Sequence, residues 1–171
     1  MEERTGAVTM KGNPLTLLGK EVKVGQEAPD FVALDTSLKP VTLSSFRGKV
    51  CIIASVPSLD TPVCEIETKK FNDEAGRLGP NIALLTISMD LPFAQKRWCG
   101  AEGITHLQTL SDHRDAPFGT AYGVLIKELR LLARSIFLVD QKGGIRYVQL
   151  VKEVTQEPDY EGIWGALKKL T

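Results

Sequence analysis

A continuous apolar run, Val50-Cys51-Ile52-Ile53-Ala54-Ser55-Val56, hands over through the loop Pro57-Ser58-Leu59-Asp60-Thr61 to a segment of helical periodicity that starts at about Pro62. The run is short and β-branched, the pattern of a strand buried on both faces. In the segment after it, Val63, Ile66, Phe71, Ala75 and Leu78 are expected to form the apolar stripe of a helix ending near Gly79-Pro80. Ile82-Ala83-Leu84-Leu85-Thr86-Ile87-Ser88 then repeats the buried-strand pattern. Strand, helix and strand in this order make a βαβ unit, and its right-handed crossover sets the strands parallel. The loop before Pro62 therefore lies at the carboxyl ends of the strands, where open α/β sheets place their sites.

That placement gives Cys64 a chemical role. Thr61 is expected as N-cap and Pro62 as the first helical residue, so Cys64 falls in the first turn, where backbone N–H groups lack intrahelical acceptors. These groups and the positive end of the helix dipole favour a thiolate, and such settings bring a thiol from about 8.5 into the range of about 3.5 to 7.5. Cys64 is the candidate nucleophile. The competing reading, an inert cysteine packed as a small hydrophobe, fits a capped helix start poorly.

The chain has 171 residues, enough for a substantial core in one domain, 1–171, and shows no repeat or linker. Lysine plus arginine and aspartate plus glutamate both number 21, so no basic field points to nucleic acid or an anionic membrane. No run approaches a membrane span, and Met1-Glu2-Glu3-Arg4 lacks the pattern of a signal peptide. A cytoplasmic location is expected. Three cysteines, Cys51, Cys64 and Cys99, are an odd number that argues against a secreted disulfide framework.

Ahead of the central strand, Ala7–Met10 and Pro14–Leu18 flank Lys11-Gly12-Asn13, a hairpin signal within residues 1–20. Strands are expected at Phe31–Leu34 and Lys39–Leu43, joined by a turn at Asp35-Thr36-Ser37, and a short helical turn at Ser44–Lys49. After the βαβ unit, Asp90 is expected to cap a helix running to about Gly100, with Cys99 near an end that Gly100 and Gly103 leave easy to loosen. Residues 104–132 are less regular, with a strand at Leu107–Leu110 and a short helix at Ala116–Tyr122. Ala133–Asp140 and Ile145–Val151 form an antiparallel hairpin, and Asp159–Leu170 a closing helix with Ile163, Trp164, Leu167 and Leu170 on its apolar side. Arg134 stands out, since an arginine between Leu131-Leu132-Ala133 and Ile136-Phe137-Leu138 needs a buried partner. A thiolate would supply one.

The pattern Pro-x-x-x-Thr-x-x-Cys, filled by Pro57, Thr61 and Cys64, resembles the peroxiredoxins. More closely, Ser58–Cys64, Phe93–Gly103 and Glu157-Pro158-Asp159-Tyr160 resemble the bacterial thiol peroxidase branch, over nearly the whole chain. The resemblance implies an α/β thioredoxin-like fold, a central mixed sheet flanked by helices, with the N-terminal β-hairpin as an addition. It implies that Cys64 is the peroxidatic cysteine, attacking a hydrogen peroxide or organic hydroperoxide and becoming a sulfenic acid. Thr61 would hydrogen-bond thiolate and peroxide, Pro57 would shield the thiolate from water, and Arg134 would favour the thiolate and polarise the O–O bond. Cys99, thirty-five residues beyond Cys64, would be the resolving cysteine that closes an intrachain disulfide. Because a disulfide needs Cα atoms within roughly 7 Å, local unfolding around both cysteines is expected. Thioredoxin would reduce that disulfide, and a homodimer with its interface near the active-site loops is implied. Cys51, mid-strand, is expected to be a packing residue.

Other classes fit less well. A thioredoxin-like thiol–disulfide carrier would want a second cysteine where Thr61 stands. A cysteine–histidine hydrolase or metal site has only His106 and His113 to draw on, neither at ligand spacing with any cysteine, so no metal or other cofactor is expected. A binding module with inert cysteines would leave Thr61, Pro62 and Arg134 unexplained.

Overall fold

The computed structural model describes residues 1–171. Strand β1 (Glu3–Met10) turns through Lys11 and Gly12, both at positive φ, into β2 (Asn13–Leu18). Strands β3 (Val32–Leu34) and β4 (Pro40–Thr42) and a 3-10 turn at Leu43–Phe46 lead to the central strand β5 (Val50–Ser55). Helix α1 (Pro62–Ala75), β6 (Ile82–Ser88), helix α2 (Pro92–Glu102) and β7 (Gln108–Ser111) follow. A five-residue helix, α3 (Pro117–Ala121), precedes the short strands β8 (Leu125–Ile126) and β9 (Leu131–Leu132). The chain closes with β10 (Ser135–Val139), β11 (Ile145–Leu150) and helix α4 (Tyr160–Lys168).

Seven strands form one mixed sheet in the order β11-β10-β5-β6-β7-β3-β4. Strands β5, β6 and β7 run parallel, as the crossover rule requires, and the outer strands pair antiparallel. Alternate residues of β5 serve opposite faces. Ile52 and Ala54 pack with Phe71 of α1 and with Ile163 and Leu167 of α4, whereas Cys51 and Ile53 join Phe118, Tyr122 and Phe137 on the other side. Both faces being covered is why this strand reads as an unbroken apolar run. Emptying one such position, Phe71 for instance, would cost about 3–5 kcal/mol.

The N-terminal hairpin is part of a second sheet, β1-β2-β8-β9, that had no counterpart in the reading of residues 104–132. Strands of two residues leave no periodic signal, and β8 finds its partner β2 more than a hundred positions earlier in the chain. No helix is long and apolar enough to cross a membrane.

Candidate active site

Helix α1 starts where expected but is built differently. Thr61 holds the cap position with extended backbone, and its carbonyl accepts the first helical hydrogen bond from the Glu65 N–H at 2.9 Å. Its side chain caps nothing. The Thr61 hydroxyl instead donates to the Ser58 carbonyl at 2.8 Å, which tightens the loop and leaves the helical N–H groups of the first turn open.

The buried face of α1 also differs from the expected stripe. Ile66 is 46 % exposed and Val63 only half-buried, while Cys64, Glu67, Thr68, Phe71 and Asn72 face inward. These five fall at i, i+3, i+4, i+7 and i+8, so the expected stripe holds at Phe71, Ala75 and Leu78, which pack on the core, and fails at Val63 and Ile66 in the first turns. The inward face is polar because it serves chemistry at one end and loop anchoring at the other. Asn72 accepts the N–H groups of Thr105 and His106 at 3.2 and 2.8 Å, fixing the chain that leaves α2.

Arg134 lies one residue before β10 rather than within it, with 1 % of its surface exposed. Its Nη2 donates to Cys64 Sγ at 3.3 Å, and Nη1 donates to Glu67 Oε2 at 2.7 Å. Nε and Nη2 also donate to the Val154 carbonyl at 3.2 and 2.8 Å. The partner demanded by a buried arginine is thus shared among a thiol, a carboxylate and a carbonyl. Val154 is itself held by the N-terminal hairpin: its N–H donates to the Thr9 carbonyl at 2.9 Å, and the Thr9 N–H donates to the Lys152 carbonyl at 2.7 Å. Glu153 adds to the joint by accepting the Thr9 hydroxyl at 3.0 Å and the Gly12 N–H at 2.9 Å.

Electrostatically, one cation serves two groups capable of negative charge. Burial pushes the Glu67 carboxyl well above its ordinary range, outweighing the charge and hydrogen bond of Arg134, and Glu157 pushes it further. Its second oxygen, Oε1, is buried with no protein partner. Although burial works against its charge, the guanidinium of Arg134 is held above its usual value by Glu67 and Cys64. Glu67 escaped the sequence reading because an acidic residue on a helix normally marks the solvated face. Its position three residues after Cys64, on the same helical face, was the available signal.

Cys64 is fully buried, in a small cluster with Val56, Leu59, Trp98 and Ile104. Cys99 packs against that same cluster from the last turn of α2. Both are free thiols. Around Cys99 there is no cation; the Thr109 hydroxyl lies 3.6 Å from its sulfur, and burial pushes its thiol up more strongly than that hydroxyl pulls it down. The end of α2 is more firmly tied than its glycines suggested: Gly103 adopts the left-handed conformation at φ 66°, and its N–H and that of Ile104 both bond the Cys99 carbonyl. Cys51 lies on the opposite face of the sheet, its thiol pushed up to about 11 by burial.

The structure therefore joins Cys64 to Arg134 directly, sets Thr61 at the start of the same helix, and places Pro57 buried at the exit of β5. Asp90 is not the cap of α2. That position belongs to Leu91, while the Asp90 carboxylate turns back to Ser58 and Leu59 in the loop before α1.

Known proteins resemble this chain over nearly its whole length. The redoxin family profile matches residues 23–163. A thiol peroxidase of Bacillus subtilis is 55 % identical over 163 residues, 95 % of this chain and 97 % of its own length. One from Halalkalibacterium halodurans is 56 % identical over 162 residues, 95 % of this chain and 97 % of its own length. The crystal structure of a peroxiredoxin-like protein from Aquifex aeolicus superposes with a TM-score of 0.91 at 43 % identity, covering 98 % of each chain. The chain belongs to the redoxin family, and within it to the thiol peroxidases.

Proposed function

We propose that the chain is a thiol-dependent peroxidase that reduces hydrogen peroxide and organic hydroperoxides, with Cys64 as the peroxidatic and Cys99 as the resolving cysteine. The single observation that carries this reading is the 3.3 Å contact between Arg134 and Cys64 Sγ in a buried site at a helix start. A fixed cation beside the sulfur favours its thiolate and meets the charge that develops as an O–O bond breaks.

The Cys64 thiolate attacks one peroxide oxygen, the O–O bond breaks, and the departing alkoxide or hydroxide takes up a proton to leave as alcohol or water. Sulfur has been oxidised to sulfenic acid and the peroxide reduced by two electrons. The Cys99 thiol then displaces water from that sulfenic acid, forming a Cys64–Cys99 disulfide. An external dithiol, thioredoxin in this proposal, returns both cysteines to thiols by exchange. Thr61 would turn its hydroxyl from Ser58 towards the peroxide, and Pro57 would screen the sulfur from water.

Disulfide closure requires movement. Cys64 sits in the first turn of α1 and Cys99 in the last turn of α2, each held by helical hydrogen bonds, so both ends must loosen. Pairing of two copies is also proposed, with the exposed Leu91 and Phe93 at the start of α2 as apolar surface for it. A cytoplasmic location suits three free thiols.

The decisive experiment is intact mass before and after one equivalent of hydroperoxide, followed by peptide mapping. Loss of two hydrogens with Cys64 joined to Cys99 is the expected result. An unchanged mass would overturn the peroxidase in favour of a carrier or a scaffold. A coupled assay with thioredoxin and its reductase tests the reductant, and light scattering tests the dimer.

A further inference from the structure

The carboxylate of Asp90 gathers two elements that the reaction must separate. Asp90 follows β6 and stands two residues before α2, the helix that carries Cys99. Its Oδ1 accepts the Ser58 hydroxyl at 2.7 Å, and its Oδ2 accepts the Leu59 N–H at 2.8 Å and the Ser88 hydroxyl at 2.7 Å. Its own carbonyl accepts the Ser111 hydroxyl at 2.5 Å from the end of β7. Ser58 passes the connection on: its hydroxyl oxygen accepts the Asp60 N–H at 3.2 Å, and its carbonyl accepts the Thr61 hydroxyl. Leu59, 2 % exposed, is thereby seated in the cluster that encloses Cys64 and Trp98.

Two further ties cross the same seam. Arg97 of α2 lies 3.8 Å from Asp60, and Lys69 of α1 bridges Glu65 at 2.8 Å and Glu102 of α2 at 2.7 Å. The first is largely exposed and the second partly so, and such pairs are individually weak. The Asp90 contacts are part-buried, and one carboxylate gathers three donors, which makes them the stronger fastening.

We propose that Asp90 is a positioning residue of the peroxidase cycle: it latches the Ser58–Thr61 loop onto the base of α2, holds Cys64 seated against Arg134, and must release that loop before Cys99 can reach the sulfenic acid. The inference rests on the assignment of Cys64 and Cys99 above. It gives the latch opposite effects on two steps. A held loop favours attack on the peroxide and delays disulfide closure; a released loop does the reverse. A purely structural residue would slow both when lost.

The test uses the full-length protein and the fluorescence of Trp98, which adjoins Cys99 and is buried against the Cys64 cluster, to time each step by stopped flow. D90N removes acceptor capacity with little change of shape, and S58A removes one partner while leaving the Leu59 N–H in place. For D90N, peroxide attack should slow and disulfide closure should quicken, each by on the order of tenfold, the weight of one hydrogen bond to a charged acceptor. S58A should move both rates the same way by less. Sulfinic acid, formed when a second peroxide oxidises the waiting sulfenic acid, should accumulate less in both variants than in wild type, because the sulfenic acid is captured sooner. Closure in D90N and S58A at or below the wild-type rate overturns the latch. Absence of a Cys64–Cys99 disulfide in the wild type itself would instead overturn the assignment of Cys99, so the two failures are distinguishable.

Discussion

Cys64 and Cys99 share one apolar cluster and yet have opposite surroundings. Cys64, at the start of a helix, has Arg134 at 3.3 Å and unbonded N–H groups of the first turn about it. Cys99, at the end of a helix, has the Thr109 hydroxyl at 3.6 Å and no cation, and burial pushes its thiol up. A cation beside the sulfur suits the attacking role proposed for Cys64, and burial without one suits the later, resolving role proposed for Cys99. On that proposal, two identical side chains take their order of reaction from their addresses in the fold.

The largest expected effects fall on the cysteines themselves. C64S should abolish peroxide consumption, measured by loss of peroxide with thioredoxin present; any residual turnover that depends on Cys99 would dissolve the contrast between them. C99S should permit one rapid turnover and then stall with Cys64 as sulfenic or sulfinic acid, visible as mass gains of oxygen. Normal cycling of C99S with thioredoxin would show that resolution does not run within the chain.

R134K keeps the charge but cannot reach sulfur, carboxylate and carbonyl together, and it should slow attack by on the order of a hundredfold. The acid limb of its pH–rate profile should move to higher pH, and an unmoved limb would count against the electrostatic role. E67Q tests the cation's second partner. Because burial raises the folded-state value of Glu67, the folded protein binds that proton more tightly than the unfolded chain. Its contribution to stability is therefore complete below the ordinary glutamate range and is lost as pH rises through the raised value. Denaturation at about pH 5 and about pH 8 should show wild type losing stability relative to E67Q on the order of 1 kcal/mol, with the opposite trend excluding a raised Glu67. T109V should have the smallest effect. It removes the hydroxyl that draws the Cys99 thiol down, so the alkaline limb of disulfide closure should shift to higher pH.

What could be read in the sequence was what local pattern controls. The strand, the proline-bounded loop and the helix start around Cys64 follow from β-branched residues, Thr61 and Pro62, and an arginine among leucines and isoleucines announced a buried partner. Glu67 and Asp90 were not legible, because each acts across the fold rather than along it. An acid on a helix looks solvated, and an aspartate shortly before a helix looks like a cap. The apolar stripe of α1 holds at Phe71, Ala75 and Leu78 but not at Val63 and Ile66, because the inward positions of the first turns are taken by Cys64, Glu67 and Thr68. Strands β8 and β9, two residues each, are too short for a pattern, and β8 declares itself only through its long-range pairing with the hairpin.

The first eighteen residues look like an ornament on the seven-stranded core, but they act as an outrigger. Thr9 and Gly12 steady residues 152–154, and the Val154 carbonyl is the rest on which the guanidinium leans when it meets the sulfur. A chain trimmed of that ribbon would keep its cysteines, Glu67 and Arg134, yet the guanidinium would have lost the footing beneath one of its three partners.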